Sequence, residues 1–226
     1  KRVNSMTGLA ATLNETTDRT DKIAGASSTP ERYRSAALGA MVGLAVGDAM
    51  GDLGRMDAYR ARYGIITNVY AGAGSTDDTE FAILTARTLL DCGGNLTSDG
   101  VVQAWHRYIL DEGGVFERGG KPQYGAVANL RMGILPPLSG RDNVGNDDDG
   151  AAMRVTPIGV YCAGDPAKAA ELARIDSEIS HYTDGIWAAQ AVAAGVAVAM
   201  TGADVDKIME AALGPIPEDS WMGRAM

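Results

Sequence analysis

The residues best suited to chemistry form one short stretch, Gly74 to Phe81, in which Ser-Thr-Asp-Asp-Thr follows a glycine-rich loop. Asp77 and Asp78 precede an apolar segment that predicts a helix over Phe81 to Leu90. Carboxylates at a helix start accept hydrogen bonds from free backbone N–H groups, and the helix dipole holds them ionised. Ionised carboxylates beside a hydroxyl, such as that of Thr76, are also ligands for a hard cation such as Mg²⁺. These residues alone allow two interpretations, a capped helix or a metal site.

A second polar stretch, residues 142–154, contains three consecutive aspartates followed by Gly150 and Ala151. In isolation it reads as an exposed acidic turn, because it lacks the alternation and the closing Glu of a calcium-binding loop. The glycine and the residues after it also predict a helix start, whose free N–H groups can hold a phosphate. His181 follows on a polar loop between two predicted helices, where it is free to bind a ligand, although most loop histidines have no such role.

An apolar helix is predicted from Pro30 to Gly51, with Thr29 as its N-cap. Four of its glycines recur every four residues and therefore lie on one side: Gly39, Gly43, Gly47 and Gly51. Each glycine costs about 1 kcal/mol of helix propensity relative to alanine, so the stripe predicts that another backbone passes close by. Asp48 lies in this apolar stretch and must be hydrogen-bonded, paired or bound to a metal if it is buried. A structural role and a site role are equally open for it.

The rest of the chain predicts further helices and hardly any strand. Periodicity and capping residues place helices after Thr97, at residues 124–135, at 167–180, at 186–200 and at 204–213, and residues 65–70 are the one β-like run. The apolar runs 36–46 and 186–200 are shorter than the ~20 residues that a bilayer requires, so both are expected to be buried core helices. The expected fold is all-α, a compact orthogonal multi-helix bundle over residues 31–226, preceded by a flexible leader over residues 1–30.

Composition narrows the classes of partner. The 226 residues are 46% hydrophobic and 22% charged, which is typical of a globular protein. A net charge of −9 argues against nonspecific binding of nucleic acid or of an anionic membrane. Cys92 and Cys162 form no disulfide framework and no metal-binding spacing, which favours a reducing, cytoplasmic location.

Taken together, these segments resemble the ADP-ribosylglycohydrolase family, of the dinitrogenase reductase-activating glycohydrolase and ADP-ribosyl-acceptor hydrolase type. Four motifs occur in the family's order and at about its spacing, from Tyr33 to the end of the chain: residues 43–51 (Gly-Leu-Ala-Val-Gly-Asp-Ala-Met-Gly), 75–79 (Ser-Thr-Asp-Asp-Thr), 150–159 (Gly-Ala-Ala-Met-Arg-Val-Thr-Pro-Ile-Gly) and Ser180-His181. The family's fold is an all-α bundle.

The resemblance implies a Mg²⁺-dependent hydrolase that cleaves the glycosidic bond between ADP-ribose and a modified protein side chain or small acceptor. It implies two Mg²⁺ ions, with Mn²⁺ as the alternative cation, and metal ligands at Thr76, Asp77 and Asp78, of which the two aspartates are also the catalytic residues. ADP-ribose would be bound by Asp149, Gly150, Ala151 and His181. The implied partners are ADP-ribose or an ADP-ribosylated protein, with no nucleic acid and no membrane.

Three departures from the family pattern leave a second interpretation open. Arg55 stands where the family usually has a glutamate, and Asp149 stands where it has an asparagine before Gly-x-x-Met-Arg. The chain also stops at Met226, before a Gly-Asp-x-Asp-Thr motif that supplies the family's other metal ligands. A second polypeptide could supply those ligands. The alternative is a non-catalytic relative, either an ADP-ribose-binding protein or a structural, crystallin-like one.

Overall fold

A computed structural model describes residues 29–115 and 119–226, so all but the last two residues of the predicted leader lie outside the described range. Within that range the chain is helical and contains no strand, which confirms the all-α fold. The predicted β-like run at residues 65–70 is turn and irregular backbone. The stretch from Asp52 to Gly72 was expected to be mainly turns, but it contains helical residues. The first helix continues to Arg55, and a short second helix follows it.

Eleven α-helices are present in the described part of the chain. They are α1 (Pro30–Arg55), α2 (Asp57–Tyr63), α3 (Asp77–Asp91), α4 (Ser98–Trp105), α5 (Lys121–Arg131), α6 (Leu138–Arg141), α7 (Thr156–Tyr161), α8 (Pro166–Ser177), α9 (Asp184–Ala199), α10 (Val205–Leu213) and α11 (Trp221–Ala225). A π-helical turn, His106–Leu110, continues α4, and a 3₁₀ turn, Ala152–Arg154, precedes α7.

The α9 helix is the centre of the bundle and packs against α7, α8 and α10. Its alanines at four-residue spacing, Ala189, Ala193 and Ala197, are fully buried, which confirms the prediction of a core helix here. Small residues let the neighbouring helix approach closely: a Cβ at Gly159 of α7 would lie 2.7 Å from the carbonyl oxygen of Ala193. A close contact with a neighbouring backbone therefore occurs between α7 and α9.

The α1 helix differs from its prediction. Only Ala49 and Leu53 are buried, so the expectation of a buried core helix is wrong. A Cβ at any glycine of the four-residue stripe would meet no packing atom within 4 Å among the described residues. By length and composition α1 could also cross a membrane, with a mean hydropathy of 1.3. Apolar periodicity shows that a helix has a packing face, but not which element covers that face.

Helices α3 and α4 form the other half of the core. The indole of Trp105 is 1% exposed and lies 5.7 Å from the ring of Phe81, centre to centre. Burial of a large apolar side chain contributes roughly 1.5–3 kcal/mol, so this pair holds α3 firmly against α4. Because α3 also packs against the 3₁₀ turn, its N-terminus and the polar loop before that turn belong to one rigid core.

Candidate active site

The N-terminus of α3 is capped by a side chain from another helix. Thr76 is the N-cap residue, but its hydroxyl accepts no hydrogen bond from the helix backbone. Instead the Asp48 carboxylate of α1 accepts from the backbone nitrogens of Thr76 and Thr79, at 2.7 and 3.2 Å. It also accepts from both hydroxyls, each at 2.5 Å. The structure thus assigns Asp48 the hydrogen-bonded role.

Asp48 is held in its ionised form. Its burial by itself would raise the pKa, but the hydrogen bonds from Thr76 and Thr79 outweigh burial and place the pKa of Asp48 below its ordinary value. An ionised carboxylate at the positive end of a helix dipole is favourable. Since the buried Thr76 hydroxyl donates its only proton to Asp48, its oxygen lone pairs remain available to a ligand.

Asp77 and Asp78 begin α3 and lie beside Thr76, as the resemblance requires. Neither carboxylate has a hydrogen-bond or ion-pair partner among the described residues. Asp78 is half-buried, and its burial raises its pKa above the ordinary value; the negative charges of Asp48, Asp77 and Asp149 raise it further, against an opposing effect of Arg55. The site therefore concentrates negative charge that a bound cation would relieve.

The oxygen atoms of Thr76, Asp77 and Asp78 are of the type that Mg²⁺ binds, but they are too few to complete its coordination. One hydroxyl and two carboxylates are hard oxygen ligands of the type that Mg²⁺ takes. However, the part of the chain that the structure describes contains no group of three or more carboxylate, imidazole or thiol side chains placed to hold a metal ion. The residues present could supply one side of a metal site, and further oxygen ligands would have to come from elsewhere.

Another predicted site residue, His181, is not on an open loop. Its side chain is 0% exposed, which makes the expectation of a freely accessible histidine wrong. Nδ1 lies 2.8 Å from the hydroxyl oxygen of Ser180, and Nε2 lies 3.0 Å from Oδ1 of Asp148. Burial lowers the pKa of His181, and the hydrogen bond to Asp148 opposes this only in part. The ring is therefore neutral at pH 7.

A buried ion pair between Arg154 and Asp176 contacts this histidine through Ser180. Nε of Arg154 donates to Oδ2 of Asp176 at 2.7 Å, and one of its terminal nitrogens donates to the backbone carbonyl of the same residue at 2.9 Å. The guanidinium also lies 5.5 Å from the centre of the Trp105 ring. Its other terminal nitrogen donates to the Ser180 hydroxyl at 3.1 Å. Sequence reasoning missed Asp176, because nothing in a helical run of small residues marks one aspartate as buried.

The loop that carries the other predicted ligand-binding residues packs against this group. The Gly150 N–H donates to Oδ1 of Asp148 at 2.8 Å, and its carbonyl accepts from Gln123 at 3.3 Å. A Cβ at Gly150 would lie 2.8 Å from the Gln123 amide nitrogen, so a larger residue would require the Gln123 side chain to shift. Ala151 is fully buried and Asp149 is exposed. The predicted helix start is only a three-residue 3₁₀ turn.

A cavity of about 260 Å³ opens beside Asp77. Its walls are mainly apolar and come from α3, from the π-helical turn and from residues 114, 115 and 119: Phe81, Ile83, Leu84, Ile109 and Val115 among others. Arg87 and Tyr108 lie at its edge, joined by a hydrogen bond of 3.1 Å. The sequence did not predict this cavity, because its walls come from separate segments.

Comparisons with known proteins identify the family of this chain. The uncharacterized protein YegU of Escherichia coli (strain K12) is 31% identical over 140 residues, which cover 54% of this chain and 40% of that protein. The alignment therefore spans less than half the length of this curated relative. A family model described as ADP-ribosylglycohydrolase matches residues 29–226. That match covers the residues at the start of α3 and those around His181. The chain belongs to the ADP-ribosylglycohydrolase family.

Proposed function

We propose that this protein is the scaffold of a Mg²⁺-dependent hydrolase that cleaves the glycosidic bond between ADP-ribose and a modified protein side chain or small acceptor. The observation that carries the proposal is the start of α3, where Asp48 orients the Thr76 hydroxyl beside the carboxylates of Asp77 and Asp78, which have no partner among the described residues. Membership of the family supports activity on ADP-ribose.

The chain's own residues would act as follows. Thr76, Asp77 and Asp78 would hold the metal, which when bound would orient the ribose hydroxyls and a water. Cleavage of a glycosidic bond develops positive charge on the ribose ring, which nearby carboxylates stabilise. One of the two aspartates takes the proton of the attacking water.

Completion of this site requires oxygen ligands from another polypeptide segment, and we propose that the exposed face of α1 receives it. Leu38 and Val42 are 65% and 51% exposed, and the glycine stripe next to them leaves room for a closely packed helix. The same helix carries Asp48, whose carboxylate contacts Thr76 at the candidate metal site. A denaturing intact-mass measurement of the purified protein tests for such a companion polypeptide.

A second candidate is a non-catalytic ADP-ribose-binding protein. Arg55 favours it, because its positive charge acts on Asp78, where a bound cation would otherwise be needed. The positive charge of Arg55 opposes the binding of a second cation here. The second cluster, formed by His181 with Asp148, Ser180 and Arg154, does not depend on this position.

Two variants test the proposed hydrolase. Asp77→Asn and Asp78→Asn should each abolish Mg²⁺-dependent release of ADP-ribose, measured on the protein together with any companion polypeptide. Asp99→Asn is the matched control, since Asp99 has the same position in α4 as Asp78 has in α3, the second residue of the helix, and is exposed. Activity retained in both site variants would exclude these carboxylates from catalysis. ADP-ribose binding without any turnover would favour the second candidate.

A further inference from the structure

Two hydrogen-bond donors converge on a single oxygen at the edge of the second cluster. Oδ1 of Asp148 lies 3.0 Å from Nε2 of His181 and 2.8 Å from the backbone nitrogen of Gly150. The two donors differ in origin, since one is a fully buried side chain and the other is backbone. Together they form a small pocket for one anionic oxygen, and in this structure the protein's own carboxylate fills it.

The residues around His181 determine which of its ring nitrogens donates a hydrogen bond. Arg154 has only donors, so the Ser180 hydroxyl must accept from it. The single hydroxyl proton of Ser180 is then free for Nδ1 of His181, 2.8 Å away. Because the ionised carboxylate of Asp148 can only accept, Nε2 of the neutral ring carries the proton, and Nδ1 accepts from Ser180. The buried pair of Arg154 with Asp176 thus fixes an N–H donor that faces Asp148.

The donors are held rigidly, whereas the carboxylate is not. The Gly150 carbonyl is bound by both Gln123 and Arg154, each at 3.3 Å, so the backbone of the loop is anchored on its inner side. His181 is 0% exposed, but the side chain of Asp148 is 45% exposed. Rotation of Asp148 toward solvent would therefore release both donors and leave their positions unchanged.

We propose that Asp148 determines the specificity and affinity of this site for the anionic group of the ligand, because its carboxylate occupies the two donors that a phosphate oxygen of ADP-ribose would use. This inference rests on the proposed function for the identity of the ligand. Asp148 opposes binding of a diphosphate in two ways. Its carboxylate competes for the two donors, and its negative charge repels the anion. Binding of the ligand requires that Asp148 leave the pocket.

The test compares Asp148→Asn with Asp147→Asn. Both substitutions remove one negative charge from the same loop, but Asp147 is exposed and makes no hydrogen bond or ion pair with the described residues. Binding of ADP-ribose and of inorganic pyrophosphate is measured by titration calorimetry at fixed ionic strength. Hydrogen bonds to a charged group are worth about 1.5–3 kcal/mol, so we expect Asp148→Asn to bind both probes about tenfold more tightly than wild type. Asp147→Asn should change binding less than twofold.

The two probes separate this inference from the proposed function. Tighter binding of both probes by Asp148→Asn alone would support both. Tighter pyrophosphate binding without ADP-ribose binding in any variant would support the anion pocket and contradict the proposed ligand. ADP-ribose binding that is unchanged or weaker in Asp148→Asn would overturn the inference and leave the function standing. No binding of either probe by any variant would overturn both.

Discussion

The carboxylate of Asp48 and the start of α3 at Thr76 form one structural unit, although 28 residues separate them. Asp48 accepts from both the backbone nitrogen and the hydroxyl of Thr76, at 2.7 and 2.5 Å. The bond pattern couples α1 to α3 and orients the hydroxyl that would serve as a metal ligand. An aspartate outside the candidate ligand set therefore decides the geometry of that set.

Removal of this cap should destabilise the fold. In Asp48→Ala, two backbone N–H groups and two hydroxyls lose their acceptor, so we expect the free energy of unfolding to fall by about 1–3 kcal/mol. Asp52→Ala is the control, because Asp52 lies one turn further along α1 and makes no hydrogen bond with the described residues. Urea denaturation at pH 7 measures both. Equal losses in the two variants would show that the cap does not stabilise the native state.

The stabilisation by Asp48 should also depend on pH. The hydrogen bonds lower its folded-state pKa against the effect of burial, so the stabilisation is present above the unfolded pKa of about 3.9. It is lost as the pH falls through the folded pKa. The stability difference between wild type and Asp48→Asn should therefore shrink below about pH 4. A difference that stays constant from pH 7 to pH 3 would contradict the lowered pKa.

Asp78→Asn should have the opposite effect on stability. Burial and neighbouring carboxylates raise the pKa of Asp78, so its ionised form is unfavourable in the native state at pH 7. The neutral asparagine removes this cost, and we expect a gain of about 0.5 kcal/mol after allowance for solvent screening. Asp99→Asn should instead lose a little stability, because it removes a charge that favours the helix dipole. Thermal unfolding without divalent cations compares the three proteins.

Addition of Mg²⁺ to the same experiment tests the predicted ligand. A cation that binds only the native state stabilises it by mass action. Wild type and Asp99→Asn should gain stability with rising Mg²⁺, whereas Asp78→Asn should gain less. An equal response in all three proteins would show that Asp78 does not bind the ion under these conditions.

Ser180→Ala should change the titration of His181 without a general loss of structure. The Ser180 hydroxyl donates to Nδ1 of the neutral ring, and a bond to the neutral form disfavours the charged form. Its removal should raise the pKa of His181 toward the ordinary value, as measured by ¹⁵N NMR of the imidazole across a pH series. The same spectra report whether Nε2 carries the proton in wild type.

Ser177→Ala provides the control for that measurement. Ser177 is equally buried, but its hydroxyl donates to the Ala173 carbonyl at 2.6 Å and does not reach the ring. Both variants should lose some stability, whereas only Ser180→Ala should move the pKa of His181. An identical shift in the two variants would indicate loosened packing as the cause.

Local interactions explain which features could be predicted. Thr29, Thr97, Asp165 and Asp204 each accept a hydrogen bond from a backbone nitrogen three residues later, as capping residues do. Such contacts lie within one helical turn, so residue type and spacing are sufficient to predict them. The position of Asp77 and Asp78 at a helix start belongs to the same class.

Contacts between distant segments account for the differences. Asp48 rather than Thr76 caps α3, and Asp148 pairs with His181 across 33 residues. The open loop expected for His181 proved to be buried, because the loops around residues 148–150 and 180–182 fold against each other. Periodicity carries no information about which distant segments meet.

The sequence by itself determined most of the longer helices and several of their first residues, because those depend on short-range hydrogen bonds and on apolar periodicity. Its motifs determined the family and the residue types of one carboxylate cluster. Only the tertiary structure decided that the glycine stripe of α1 meets no packing atom of the described residues, that Arg154 pairs with Asp176, and that Asp148 fills the donor pair of His181 and Gly150. Each of these depends on which surfaces meet when the helices pack. Polar groups that become buried there must then find hydrogen-bond partners.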